Sequence, residues 1–549
     1  MRLCQKIVAA CLILVAGSPA PAQDAAAPDN AREVRVLGEI SFPTSTAVPE
    51  AQTAFEQGVL LLHLFEYAHA REQFLRAQEL DPEFAMAYWG EAMTHNHPIW
   101  DRQDLQAGRA ALARLGPTPR ERLERTPAAR EQGLLAAVEL LYGAGGKAER
   151  DRAYMRAMER LAAGFPEDHE VQLFYALSLF GVQAGVRDTA TYMLCTAIAQ
   201  GVFSENPRHP GAAHYLIHGV DDPVHAVLGL RAARALAAMA PDAGHSQHMA
   251  SHIFLALGMW EDAVRVNQSA VRVQNAMRQE HGLPARHWGH YNFWLLYGYL
   301  QQGRDADALA LLTSAYEEAK AHGKSPENPL LLDSDGDIIG SVVQMWLRYL
   351  VETRAWDSEV AEWPFTTGDA YDPNLNISYA RALQAAYGGL VARADQYRDQ
   401  FRSMAAALRD AIGRQDEPAP TDLLYLDRLA VMEAELQAAV AMARGERAAA
   451  AEHAAQASRL EGEMPVSFGP PYVDLPSAEL LGELLLDAGK YAEAAAAFEL
   501  QLERSRQKLR PLRGLVSALE ALGRADEARY HRARLAQVLA AGEAGDDND

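Results

Sequence analysis

The chain has 549 residues, 49% of them apolar and 23% charged, a folded-protein composition in a chain too long for one compact core. Asp and Glu outnumber Lys and Arg by 73 to 51, and the net charge of −22 argues against nucleic-acid and anionic-membrane partners, which need a basic surface. Three cysteines, Cys4, Cys11 and Cys195, exclude a disulfide framework, a Cys-ligated zinc site and an iron–sulfur cluster.

Residues 1–22 read as a secretory signal peptide. Arg2 and Lys6 form a positive start, Ile7 to Gly17 a short apolar stretch, and Ala20-Pro21-Ala22 a small-residue cleavage site before Gln23. That stretch is shorter than the about 20 residues needed to span a bilayer, and no longer apolar run follows. The mature protein is therefore expected in the periplasm or secreted, with no membrane span and with Cys195 as its one thiol. Residues 23–50 form a flexible lead-in, in which Val34 to Phe42 makes one short extended segment.

From about residue 50 the pattern is helical: Ala, Leu, Glu and Arg with apolar spacings of three and four, broken at intervals by Gly or Pro. Asp333-Ser-Asp-Gly-Asp337 mimics a calcium loop, but its Gly is misplaced and Gln344 stands where a closing Glu is required. It reads as a loop and helix cap.

The helices recur in pairs. Gly58, Tyr67, Ala70, Phe74, Ala77 and Pro82 form one signature; Gly482, Gly489, Tyr491, Ala494 and Phe498 form it again, followed by Gly523 and Ala528. Gly258, Trp260 and Ala263 occupy the same slots mid-chain. With these motifs the chain resembles tetratricopeptide repeat proteins over most of residues 50–540. The resemblance implies an all-α, right-handed superhelical solenoid of antiparallel helix pairs with a concave groove. The expected organisation is an N-terminal array over 51–308, degenerate helical repeats over 309–420, C-terminal repeats over 421–540 and an acidic tail over 541–549.

Ten of the eighteen histidines lie between His209 and His290. His214 and His218 are four apart, as are His248 and His252, and the two pairs are separated by the repeat period of 34. Four residues apart places two side chains on one helix face. His245 joins the second pair in a stripe about 150° from Ala250, Ile253, Phe254 and Leu257, so the stripe is expected to point away from the core. In tetratricopeptide repeats the first helix of each pair lines the groove, and the resemblance implies that both pairs project into it. Packed helices lie about 8–10 Å apart, close enough for the two sets to meet.

This pattern marks His214, His218, His245, His248, His252, His209, His290 and Asp221 as candidate metal ligands. Imidazole and carboxylate without thiolate suit Zn, Cu, Fe or Ni rather than Ca or Mg. Seven histidines exceed one site's capacity, which implies two metals or ligand-orienting second-sphere histidines. Asp221 fits either role. Asp222, followed by Pro223, reads as a helix cap. A polar groove binding an anion or peptide, and solvated or core histidines without a function, are the competing readings.

His95 and His97, two apart, face different ways and do not form a shared helical ligand pair; Trp89 and Trp100 read chiefly as core. Arg187-Asp188-Thr189 reads as helix capping. The strings His209-Pro-Gly-Ala-Ala-His214-Tyr-Leu-Ile-His218, Gly244-His-Ser-Gln-His248-Met-Ala-Ser-His252-Ile and Met86-Ala-Tyr-Trp-Gly90 resemble a group of bacterial exported tetratricopeptide proteins with His-rich central repeats. No phosphate-binding loop, nucleophile elbow or His-Glu-x-x-His motif occurs. The reading is an exported metal-binding or metal-handling protein. A metal-dependent oxidase or hydrolase, and a metal-free scaffold holding a protein or peptide in its groove, are the alternatives.

Overall fold

Strong helix formers and the scarcity of alternating strand patterns produce the expected helical chain. The computed structural model describes residues 36–322, 337–367 and 371–543, and 24 α-helices run through them. The signal-peptide reading, the lead-in up to residue 35, Asp333 to Gly336 and the tail beyond residue 543 lie outside the described residues. Val36 to Phe42 makes no strand ladder. It is tied down by the Glu39 N–H donating to the Arg208 carbonyl at 2.9 Å and the Val36 N–H donating to Asp242 at 2.7 Å. One small hairpin was not anticipated: Asn96–His97 pairs antiparallel with Arg102–Gln103 around Pro98, and Asp101 closes the turn in the left-handed region.

Consecutive helices joined by short connections pack against each other as antiparallel pairs, giving a tetratricopeptide-like solenoid. The two ends of the chain are built alike. A Cβ at Gly58 or Gly90 would fall 2.6 or 2.3 Å from the Phe74 ring, and a Cβ at Gly482 or Gly514 would fall at the same two distances from Phe498. One aromatic ring is therefore clamped between two helices whose close approach only glycine permits. A second device marks the turn inside each pair. Gly258, Gly303, Gly389, Gly445, Gly489 and Gly523 lie two residues before the second helix with φ between 69° and 77°. In the first pair that slot holds Phe65, at φ 57°.

Residues 309–420, whose repeat signature is weak, carry the same kind of element, including the helices Ile338–Thr353, Tyr371–Tyr387 and Val391–Ile412. Asp337 caps the first of these, accepting from the Ile339 N–H at 3.0 Å.

The expected open groove is absent at the histidines, because distant parts of the solenoid meet. The Trp260 indole donates to the Gln507 carbonyl at 2.9 Å, and the Leu509 N–H donates to Gln301 at 3.0 Å. Beside them the Lys508 ammonium, fully buried, sits 2.7 Å from both Glu352 and Glu479. The helix Gly244–Leu257 is buried from Gly244 to Ala256, its histidine stripe included, with Phe65 against His245 and Trp294 and Phe468 against His252. The stripe faces a second interior and not solvent. No helix among the described residues is long and apolar enough to cross a membrane.

Candidate metal centre

Three helices supply the histidines. His214 and His218 lie on Pro210–Val220; His245, His248 and His252 on Gly244–Leu257; and His290 opens His290–Gln301. The i, i+4 spacing sets ring centroids 4.9 Å apart for His214 and His218 and 5.0 Å apart for His248 and His252. Helix packing then brings the sets together: His214 to His245 at 5.1 Å, His218 to His252 at 5.4 Å and His248 to His290 at 4.5 Å.

Nitrogen geometry groups these six imidazoles as two triads, His214–His218–His245 and His248–His252–His290, with His218–Asp221–His252 spanning them, and in each group the ligand atoms lie within 4.8 Å of one another. In the first triad the Nε2 atoms of all three rings are buried without a hydrogen-bond partner. The opposite edges are engaged. His214 Nδ1 donates to the His63 carbonyl at 2.6 Å, His218 Nδ1 lies 3.5 Å from Asp221, and His245 Nδ1 lies 3.3 Å from the Tyr291 hydroxyl. A neutral imidazole that donates from Nδ1 keeps a lone pair on Nε2, which is the form that ligates metal.

In the second triad His248 Nδ1 donates to Asn267 Oδ1 at 2.8 Å, and His252 Nδ1 donates to Asp221 Oδ2 at 2.8 Å. The Asn267 amide is itself oriented, donating from Nδ2 to the Ala263 carbonyl at 2.8 Å. The two Nε2 atoms therefore carry lone pairs and face each other at 3.2 Å, with His290 Nε2 at 2.9 Å from that of His248. Facing lone pairs repel unless a proton or a cation lies between them. Nitrogens bound tetrahedrally to one ion at about 2.0–2.1 Å would stand ~3.3 Å apart, close to these separations.

Burial disfavours the proton. It depresses the basicity of His214, His245 and His248 well below the ordinary imidazole value, with neighbouring histidines adding to the effect. His252 is lowered by burial too, partly offset by Asp221. The Asp221 carboxyl is opposed by burial but held ionised by Arg187, whose guanidinium meets it at 2.5 Å, and by His218 and His252. Asp221 thus touches one ring of each triad from its non-ligating edge. That position suits an orienting group, and Asp221 also forms with His218 and His252 a group whose candidate ligand atoms lie within 4.8 Å of one another. Asp222 accepts from the N–H groups of Val224 and His225 at 2.9 Å each, as a cap, ahead of a 3-10 turn at Ala226–Gly229 that leads into the α-helix Leu230–Met239. Asp188 caps Thr189–Glu205 as read.

His209 lies outside both triads and forms with His63 and Glu170 a further group whose candidate ligand atoms lie within 4.8 Å of one another. It caps its own helix and turns away from the triads, its Nε2 donating to Glu170 at 3.1 Å. Glu170 also accepts from His63 Nε2 at 2.7 Å, and His63 Nδ1 accepts from the Tyr215 hydroxyl at 2.9 Å. This buried His–Glu–His set satisfies itself, and it fixes the His63 carbonyl that orients His214. Position at a helix N-terminus, with a carboxylate to hold it, takes His209 out of the ladder. His97 likewise stays apart, stacked on Tyr67 with ring centroids 3.9 Å apart.

Several contributors were not identified from sequence: His63, Glu170, Asn267 and the function of Arg187. His63 was legible only as one polar residue ending the run Val59 to Leu62. Phe65 was also missed. Its ring covers the first triad, at 4.4 Å from His214, 5.9 Å from His218 and 5.6 Å from His245. Phe468, from an irregular segment 216 residues further along the chain, stacks on His252 at 5.1 Å.

No protein-family model matches the chain, and no curated protein matches it. Among solved structures, the chain is similar to the human IFIT1 dimer with m7Gppp-AAAA, at 14% identity over 90% of this chain and 91% of that one, with a TM-score of 0.35. It is similar to yeast Tom70 at 11% identity over 88% and 90%, with a TM-score of 0.30. It is also similar to the P58(IPK) TPR domain at 12% identity over 86% and 99%, with a TM-score of 0.20. The tetratricopeptide-like description rests on the chain's own paired helices and glycine-clamped rings.

Proposed function

We propose that this protein is an exported, tetratricopeptide-like solenoid that holds a transition metal ion inside its helical array. The observation that carries the reading is the convergence of three unpartnered, buried Nε2 atoms from His214, His218 and His245. Buried polar atoms are nearly always satisfied, and each left bare costs about 1–3 kcal/mol. A cation removes that cost for all three at once. Neutral nitrogen donors suit Zn, Cu or Fe. Asp221, Asn267 and the His63 carbonyl would hold the rings in the ligating tautomer. The bound ion would supply Lewis acidity or redox capacity, and the protein's contribution is rigid, water-poor positioning.

Elemental analysis of mature protein purified without chelators tests this. Wild type should carry metal, and the double variant His214→Ala, His252→Ala should lose it. Protein that binds no metal after reconstitution at neutral pH would refute the reading. Export is supported by the signal-peptide pattern and is tested by intact mass, which should correspond to cleavage after Ala22. A scaffold reading has one observation in its favour. Val224, Val227 and Leu228 stand exposed on the turn after Pro210–Val220, a small apolar surface suited to a protein partner.

A further inference from the structure

His290 differs from the other five imidazoles in its surroundings. It is half-buried and lines a cavity of about 420 Å³. His214, His218 and His245, by contrast, are at most 6% exposed and lie under Phe65. Trp294 and Phe468 wall the cavity beside His290, and both rings stack on His252, at 4.5 and 5.1 Å. The exposed Asp337, Asp372 and Ser467 line it further out.

This cavity is built. Its irregular wall is pinned by two buried arginines: Arg348 donates to the carbonyls of Pro471 at 2.7 Å and Asp474 at 2.9 Å, and Arg428 donates to that of Tyr472 at 3.0 Å. Gly469, at φ +85°, lets the backbone pass against Trp294, where a Cβ would fall 2.3 Å from the ring. Both arginines pair with Asp474, Asp337 is used as a helix cap, and Asp372 accepts from Tyr425 at 2.6 Å. The lining is therefore not a row of bare carboxylates.

Charge completes the argument. Three imidazoles are neutral donors, so an ion bound by them alone keeps its full positive charge in a largely buried place. Such a charge is stabilised by a compensating anion, and the cavity beside His290 gives an anion a way in that the triad under Phe65 lacks. Asp221 lies behind the rings, on the non-ligating side of His252. A four-coordinate ion held by three histidines also has one position left.

We infer that His248, His252 and His290 hold a second ion, separate from that at His214, His218 and His245, and that this second ion takes a small anionic ligand entering through the cavity beside His290. The inference rests on the metal reading above and adds stoichiometry and the place of ligand entry to it. The first ion is the structural neighbour, and the second is the one exposed to exchange.

Loading the chelator-treated full chain with Cu(II) and titrating with azide tests it. Wild type should take two ions per chain and develop an azide charge-transfer band. His214→Ala should keep one ion and the band; His290→Ala should keep one ion and lose the band. Ser341→Trp, placed on the cavity wall away from the rings, should keep both ions and slow azide binding about tenfold or more. Should His290→Ala fail to fold, this third variant still decides the route. A single ion removed by either histidine change, a band that follows His214 and not His290, or azide kinetics unmoved by Ser341→Trp would each overturn the inference. Absence of any bound copper in wild type would instead overturn the metal reading beneath it.

Discussion

Asp221 Oδ2 accepts from His252 Nδ1 at 2.8 Å, while the other oxygen of the same carboxylate is held by Arg187 at 2.5 Å. With His218 Nδ1 at 3.5 Å from it, one buried carboxylate orients a ring in each histidine triad. Asp221→Asn keeps the shape but removes the charge that favours Nδ1–H in both rings. Metal affinity is expected to fall about 10–100-fold, the usual effect of losing an orienting partner. Competition against a chromophoric chelator measures it. An unchanged affinity would show that Asp221 serves only the ion pair with Arg187.

Phe65 occupies the left-handed turn position that glycine fills in six other helix pairs, and its ring lies over three imidazoles. Phe65→Gly relieves about 1–2 kcal/mol of backbone strain and forfeits about 3–5 kcal/mol of buried ring packing. Stability should drop by about 1–4 kcal/mol. Metal transfer to an external chelator, however, should accelerate about tenfold or more, because the apolar cover controls access. Stopped-flow transfer rates check this, and an unaltered rate would mean that metal leaves by another route.

Glu435 is fully buried between the Tyr379 hydroxyl at 2.6 Å and the Ser477 hydroxyl at 2.5 Å. Burial pushes its pKa well above the carboxylate range, against the opposing pull of those hydrogen bonds. A raised folded-state pKa means that the folded form binds the proton more tightly than the unfolded form. Its contribution is therefore intact below the unfolded value of about 4.3 and declines as pH rises above it. Glu435→Gln should melt higher than wild type at pH 8, with the gain shrinking toward pH 4. Thermal melts across that range decide it; a pH-independent difference would contradict the assignment.

Ala494 is fully buried where its helix crosses its neighbours beside Phe498. Ala494→Leu should overpack the junction and cost about 1–3 kcal/mol. Because solenoid stability is shared mainly between adjacent repeats, the loss should appear as a separate low-temperature transition in calorimetry. A melting curve superimposable on wild type would place the helix crossing elsewhere.

The sequence alone determined what depends on short spacings. Helix formers, the Gly58, Phe74 and Gly482, Phe498 signatures, and the left-handed glycines at Gly258, Gly489 and Gly523 specify helix pairs, because the 3.6-residue period and turn sterics are local. The same period placed His214 with His218 and His248 with His252. Tertiary structure decided how those pairs are divided and closed in. It assigned His245 to the first triad and His290 to the second, drew His209 away to Glu170 and His63, and gave Asp221 its position behind the rings. It also replaced the expected open groove with an interior that Phe65 covers at the first triad and Phe468 borders at the second. Those outcomes depend on contacts between segments up to about 220 residues apart, such as His252 and Phe468. Helical periodicity records which face a side chain occupies, but not what will come to lie against it.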